Sequence, residues 1–248
     1  MKIRTVTIDF WGTLLWDLPV SDERYKRVRL DGFQNALAAA GLTVARPALE
    51  RAYEASRGFL ARVWATQRDV SPEEHVRAIL TAADPALPQR LPAATLAALL
   101  DAFARPALLV PPTVDPGALG ALPALRARGL TLAVVSNTMR TPGAILRRLL
   151  AHYGLLEHFS HTTFSDEVGV RKPAPEIFWL TLKAVGGEAE SAVHVGDDPV
   201  LDVQGARVAG MRVVQVSRGG RRAAALEADA VIEGLAALPD VIDELAAR

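Results

Sequence analysis

Four short stretches of this chain carry residues able to do chemistry together. Asp9 closes the β-branched run Ile3 to Phe10 and leads into Trp11-Gly12-Thr13. Ser136-Asn137 ends the apolar run that begins at Leu130, and Arg171-Lys172-Pro173 stands just before a helical pattern. Gly196-Asp197-Asp198 follows a fourth apolar run, with Asp202 a few residues on. Carboxylates gathered at one rim repel one another unless a cation sits among them. Hard oxygen ligands favour Mg²⁺, which takes one or two carboxylates, waters and substrate phosphate. Such an ion would also offset the charge of a dianionic phosphate. One carboxylate can then act as nucleophile, forming an acyl-phosphate that water cleaves later. Ser136 and Lys172 would hold and neutralise the phosphoryl oxygens, and that positioning is most of the catalysis.

For these residues to meet, the elements around them must bring distant segments to one edge. The run Ile3 to Phe10 predicts a buried strand ending in a tight Gly turn. From about Ser21 to Phe103 helical periodicities take over, at 25–40, 47–63, 72–82 and 93–103, and no strand is expected there. Pro106 to Pro116 holds four prolines and marks a boundary. Beyond it helices and strands alternate: helix 116–128, strand 130–136, helix 143–153, strand 161–165, helix 174–185, strand 192–196, helix 199–209, strand 212–217, an edge strand 230–232 and a final helix. Alternating elements with nearly continuous apolar strands imply a doubly wound parallel sheet covered on both faces. Since one strand precedes the helical block and the others follow it, the block is an insertion. The expected division is an α/β core of residues 1–15 and 111–248, with an all-helical insertion at 16–110. In open α/β sheets ligands bind beyond the carboxyl ends of the strands, and the four stretches fall at such ends or in adjoining loops.

Composition narrows the classes of function. Across 248 residues, 28 Lys+Arg balance 28 Asp+Glu, so no whole-chain field favours nucleic acid or anionic membranes. Half of the residues are hydrophobic, well above the share of a disordered chain. With no cysteine there is no disulfide, thiolate metal site or cysteine nucleophile. Neither a signal sequence nor a run of roughly 18 to 20 apolar residues is visible, so a cytoplasmic location is the expectation. The five histidines show no metal-ligand spacing, and His194, inside an expected strand, reads as core. Tyr53, Phe59 and Trp64 follow helical spacing and read as core of the helical block. Arg218 to Arg222 reads as a solvated loop. No Gly-x-Gly-x-x-Gly follows a strand and no Gly-Lys-Ser/Thr loop occurs, so nucleotide cofactors have no support.

The ordered set Asp9-Phe10-Trp11-Gly12-Thr13, Val134-Val135-Ser136-Asn137, Val170-Arg171-Lys172-Pro173-Ala174-Pro175 and Gly196-Asp197-Asp198-Pro199-Val200-Leu201-Asp202 resembles the haloacid dehalogenase superfamily. The likeness is to its branch with a helical cap after the first strand, and the motifs span nearly the whole expected core. The resemblance implies a Rossmann-like core and a phosphatase-type hydrolase acting on a small phosphorylated metabolite, as a monomer or homodimer. Asp9 would be nucleophile and Mg²⁺ ligand. The Trp11 backbone carbonyl and Asp197 would complete the protein's ligands, and Asp202 would support metal-bound water or Lys172. Asp198 is a further candidate there. Ser136 and the Asn137 backbone would grip the phosphoryl group, and Thr13 would position the loop. Each residue also has an ordinary use: Asp9 as a turn residue, Ser136 as a strand-end cap, Lys172 as a solvated charge, Asp197 as an acid at a helix start.

One position departs from the pattern. Phosphatases of this family carry a second Asp two residues after the nucleophile, to protonate the leaving oxygen and deprotonate water. Here that residue is Trp11, and an indole has one N–H and no titratable proton. Two readings beside the phosphatase therefore stay open: a metal-free 2-haloacid dehalogenase, which also bears an aromatic there, and a non-catalytic binding protein. The acidic Gly196-Asp197-Asp198 stretch favours the metal-dependent branch. If Trp11 limits turnover by withholding acid catalysis, Trp11→Asp will raise hydrolysis of alkyl phosphates, whose leaving groups need a proton. Steady-state rates on an alkyl phosphate check this, and unchanged rates would count against it.

Overall fold

The computed structural model describes residues 2–18, 20–220 and 225–248. Strand β1 (Thr5–Ile8) is β-branched at every position and buried throughout, as suits the middle of a sheet. A two-residue strand β2 (Leu15–Trp16) follows, then the helices α1 (Ser21–Ala39), α2 (Arg46–Trp64), α3 (Pro72–Ala83), α4 (Ala93–Ala104) and α5 (Pro106–Leu109). Strand β3 (Thr113–Val114) returns antiparallel to β2, Leu15 facing Val114. Sequence periodicity could not show this pair, because two residues carry no pattern. The helices between them have their own apolar core, including Leu30, Phe33, Tyr53, Ile79, Leu99 and Phe103. Ser71 starts α3 with a reciprocal cap, its hydroxyl accepting from the Glu74 N–H while Glu74 accepts from the Ser71 N–H.

The rest of the chain is α6 (Ala118–Ala127), β4 (Thr131–Ser136), α7 (Gly143–His152), β5 (His161–Phe164), α8 (Ser165–Val168), α9 (Pro175–Ala184), β6 (Ala192–Gly196), α10 (Gly205–Val208), β7 (Arg212–Val216), β8 (Ala230–Ile232) and α11 (Leu238–Ala247). Six strands form one parallel sheet in the order β5-β4-β1-β6-β7-β8. This is the doubly wound α/β fold expected from the alternation. Side chains alternate across the strands. Val6, Ile8, Leu132, Val134, Val193 and Val195 meet residues of α6, α7 and α11 on one face. Val135, Ala192 and Val213 meet residues of α9 and α10 on the other. That second face also carries Thr7 and His194, both completely buried.

Register decides which strand ends are neighbours. Ile8 of β1 faces Val134 of β4 on one side and Val195 of β6 on the other. Asp9 is the next residue and donates its N–H to the Val195 carbonyl at 2.9 Å. Ser136 and Asp197 each stand two residues beyond those partners, so they flank Asp9. β1 lies where the chain winds outward in both directions, the crevice at which such sheets bind ligands.

The expected helix 199–209 is two pieces. Residues Pro199–Gln204 form a widened π turn, with the Asp198 carbonyl accepting from Val203 as well as Asp202, and only then does α10 begin. The wider turn lets the Asp202 side chain fold back to the end of β6. No helix among the described residues is long and apolar enough to cross a membrane.

His75 of α3 is buried against Phe103, with Nε2 within 3.2 Å of the Ser56 hydroxyl. Burial first, then the charges of Arg140 and Arg29, push its ring down to about 3. The unfolded chain takes a proton there below about pH 6.5, while the folded chain resists down to about 3. The stability this histidine confers is therefore whole above pH 6.5 and is lost as pH falls. His75→Gln should flatten the pH dependence of unfolding between pH 6.5 and 4 by up to about 1.4 kcal/mol per pH unit. Urea titrations of both proteins test this, and equal slopes would refute it.

Candidate active site

Asp9 is almost wholly buried at the end of β1. Its Oδ1 accepts the Ser136 hydroxyl at 2.8 Å and the Lys172 ammonium at 2.6 Å. Neither donor engages Oδ2. Lys172 also donates to Asp202 Oδ1 at 2.5 Å, so one ammonium is held between two carboxylates. Lys172 itself is placed by Asn137, whose side chain donates to the Lys172 carbonyl at 3.0 Å and accepts its N–H at 2.8 Å. The expected role of Asn137 was through its backbone. The amide's two-way grip on Lys172 is a further role that no local pattern reveals, because its partner lies 35 residues away.

Asp9, Asp197 and Asp202 each offer a carboxylate oxygen, all within 4.8 Å of one another. The convergence foreseen from strand ends is therefore present. Two glycines make room for it. A Cβ on Gly12 would stand 2.6 Å from the Asp197 carboxylate, and Gly12 also holds φ at +80°. A Cβ on Gly196 would stand 2.2 Å from Asp202 Cγ. Asp198 is not one of the three. Its Oδ1 accepts the N–H groups of Val200 and Leu201, both at 2.9 Å, and so caps the following turn. Its own N–H donates to Asp202 Oδ2. Asp198 therefore has a capping role that the sequence did not show.

Electrostatics follow from this crowding. Burial, with Asp202 and Asp197 nearby, outweighs Lys172 and raises Asp9 to about 7. Burial opposes the charge of Asp202 too, but Lys172 and His194 overcome it and hold that carboxyl well below the usual range. Burial likewise opposes the charge on Lys172, and its two carboxylates raise it above an ordinary lysine. The group is therefore an ion pair, Lys172 with Asp202, beside two further carboxylates. Oxygen donors so close, one of them raised by its neighbours, fit a hard cation.

Trp11 packs on the main apolar cluster and meets Phe10 edge-on at 4.9 Å. Its indole N–H is shielded from solvent with no hydrogen-bond partner, and so is the hydroxyl of fully buried Thr13. Three other expectations change. His194 is buried as expected but is no plain core residue, since its Nε2 lies 3.0 Å from Asp202 Oδ1. Trp64 does not sit in the core of the helices. Its ring carries the Arg171 guanidinium at 4.0 Å, and its N–H donates to Asp69. Arg218 is not a solvated charge: it lies 4.1 Å over the Trp16 ring and donates to Asp115 and to the Thr13 carbonyl. Arg221 and Arg222 lie outside the described residues.

With that geometry established, comparison places the chain. Residues 3–210 match the model of the haloacid dehalogenase-like hydrolases, and the chain belongs to that family. Among particular proteins, it is 46% identical over 96 residues to a phosphoserine phosphatase of Thermus thermophilus, covering 39% of this chain and 37% of that one. It is 40% identical over 130 residues to a phosphoglycolate phosphatase of Rhodospirillum rubrum, covering 52% of each. The matched stretches thus span about half or less of those relatives. A 2-haloacid dehalogenase of Pseudomonas syringae pv. Tomato shares the fold with a TM-score of 0.71 at 24% identity, covering 98% of this chain and 99% of that one. A phosphatase of the same family from Thermococcus onnurineus gives 0.60 at 25%, covering 97% and 98%.

Removing the shared ammonium would leave the carboxylates facing one another. In Lys172→Met the loss should be about 3–5 kcal/mol at pH 8, as for other broken buried pairs. It should shrink at pH 5.5, because Asp9, at about 7 even with Lys172 present, then takes a proton in the folded state. Urea unfolding in chelator at both pH values measures the difference, and a penalty that grows on acidification would contradict it.

Proposed function

We propose that this protein is a Mg²⁺-dependent phosphatase that hydrolyses a small phosphorylated metabolite through an aspartyl-phosphate on Asp9. The observation that supports it is the gathering of Asp9, Asp197 and Asp202 within 4.8 Å, beside Lys172. Asp9, Asp197 and the Trp11 carbonyl would hold the ion, and Asp202 would support it from behind. When bound, the ion would offset phosphate charge and draw electron density from phosphorus.

The protein's own groups account for the remaining steps. Asp9 Oδ2, engaged by neither Ser136 nor Lys172, is the oxygen free to attack phosphorus. The Ser136 hydroxyl and the Lys172 ammonium, now on Oδ1, turn their donors toward the phosphoryl oxygens as charge develops there. Lys172 stays charged through this because Asp202 keeps its hold. The helical insertion is the cap that covers the strand ends during transfer. The first leaving oxygen departs as an anion and is protonated by solvent. Water then attacks the acyl-phosphate, its protons leaving on the inorganic phosphate released, and the Asp9 carboxylate is restored.

Trp11 shapes substrate choice. It offers no proton for the departing oxygen, and acid–base help of that kind is worth about 10²- to 10⁴-fold. Substrates whose leaving groups depart unprotonated, aryl and acyl phosphates, lose least. The enzyme would thus favour them over alkyl phosphates. Release of phosphate from p-nitrophenyl phosphate should require Mg²⁺, stop in chelator and disappear in Asp9→Asn. Chloride release from a 2-haloacid without metal would instead select the dehalogenase reading. Turnover of neither would point to a binding protein.

A further inference from the structure

We propose that His194 is a positioning residue of this site: its Nε2–H holds Asp202 in the orientation that delivers the Lys172 ammonium to Asp9. The proposal rests on the phosphatase reading for its consequence but not for its geometry. A continuous line of hydrogen bonds leads from the sheet to the nucleophile. Thr7 Oγ1 lies 2.8 Å from His194 Nδ1, and His194 Nε2 lies 3.0 Å from Asp202 Oδ1. Asp202 Oδ1 accepts Lys172 Nζ at 2.5 Å, and Lys172 reaches Asp9 Oδ1 at 2.6 Å.

The alternation of β6 explains why a histidine stands there. Val193 and Val195 point to one apolar cluster, so His194 points to the other face, beside Ala192 and with Thr7 of β1 level with it. An imidazole on that face is completely buried and keeps its place only if both nitrogens are satisfied. Phe178 meets the ring at 81° and 4.9 Å, which sets its plane. An ionised carboxylate has no proton to give. Nε2 must therefore carry the proton toward Asp202, which in the neutral ring leaves Nδ1 to accept from the Thr7 hydroxyl. Asp202 thus sets the tautomer, and the Thr7 hydroxyl, able to donate or accept, adapts to it.

Asp202 is then pinned on every side. Oδ1 takes Lys172 and His194, Oδ2 takes the Asp198 N–H at 2.9 Å, and Gly196 leaves no space behind Cγ. Without the Nε2–H the carboxylate could turn about its terminal bond and Lys172 would follow. His194 touches neither substrate nor reacting atom, so it acts through Asp202 and Lys172.

Two variants separate this role from simple filling of the core. His194→Phe keeps an aromatic ring but no donor, whereas His194→Gln can place an N–H near the position of Nε2. Outer partners of this kind are typically worth about 10- to 100-fold. With Mg²⁺ and p-nitrophenyl phosphate, kcat should fall by about that factor in His194→Phe, with KM changed less than about three-fold. His194→Gln should recover most of the loss. Equal kcat in the two variants would overturn the proposal. Nitrogen-15 NMR of the wild-type imidazole gives a reading independent of turnover and of variant folding. A protonated Nε2 with a bare Nδ1 is expected, and a proton on Nδ1 alone would overturn the proposal. If the wild type hydrolyses no phosphate, the phosphatase reading fails, while the tautomer still decides this one.

Discussion

The Lys172 ammonium, buried between Asp9 and Asp202, is the interaction on which the site depends. Two buried carboxylates, Asp9 and Asp202, with half-buried Asp197 close by, would push one another apart. One cation inside the group lets Asp202 stay charged and holds Asp9 in place through Oδ1. It does not neutralise the group, and Asp9 is still raised to about 7. That residual excess of negative charge is what a divalent cation would relieve. Neutrality of the chain as a whole, 28 basic against 28 acidic residues, says nothing of this local imbalance.

The fold supplies the contact by simple means. A parallel sheet places its strand ends side by side, and β1 has β4 and β6 as neighbours. Asp9, Ser136 and Asp197 thereby meet although more than a hundred residues separate the first from the others. Lys172 comes from a loop rather than a strand end, and the Asn137 amide ties it in. Close approach then limits what the backbone can carry. Gly12 and Gly196 face carboxylates at distances that no Cβ could share. The π turn after Asp198 performs the matching service for Asp202, trading a regular helix for a side chain turned back on the sheet.

Trp11 gives the site its own character. Its ring belongs to the apolar cluster rather than to the polar group, so metal binding and nucleophilic attack are not denied by it. What it withholds is a proton. In the proposed phosphatase, a site that lacks this proton would select by leaving group. The unpartnered indole N–H is a cost of about 1–3 kcal/mol for a shielded donor. That cost sits two residues from Asp9.

Much of this was legible before any coordinates. Periodicity marked the helical block and the α/β alternation, because those patterns are local and long. Apolar runs stopping at polar residues marked Asp9, Ser136 and Asp197 at strand ends, and motif order added Lys172 from a loop. The paired strands β2 and β3 were too short to show a pattern, and the π turn looks like helix in sequence. Amino-acid order alone determined which groups stand at the strand ends and adjoining loops and that Trp11 cannot titrate. Only the tertiary structure decided their partners. Asp198 caps the turn after it, Asn137 braces Lys172, Arg218 partners Trp16 and Asp115, and His194 lies against Asp202 rather than in plain core. Those assignments depend on hydrogen-bond geometry between segments far apart in the chain, and such geometry leaves no trace in local spacing.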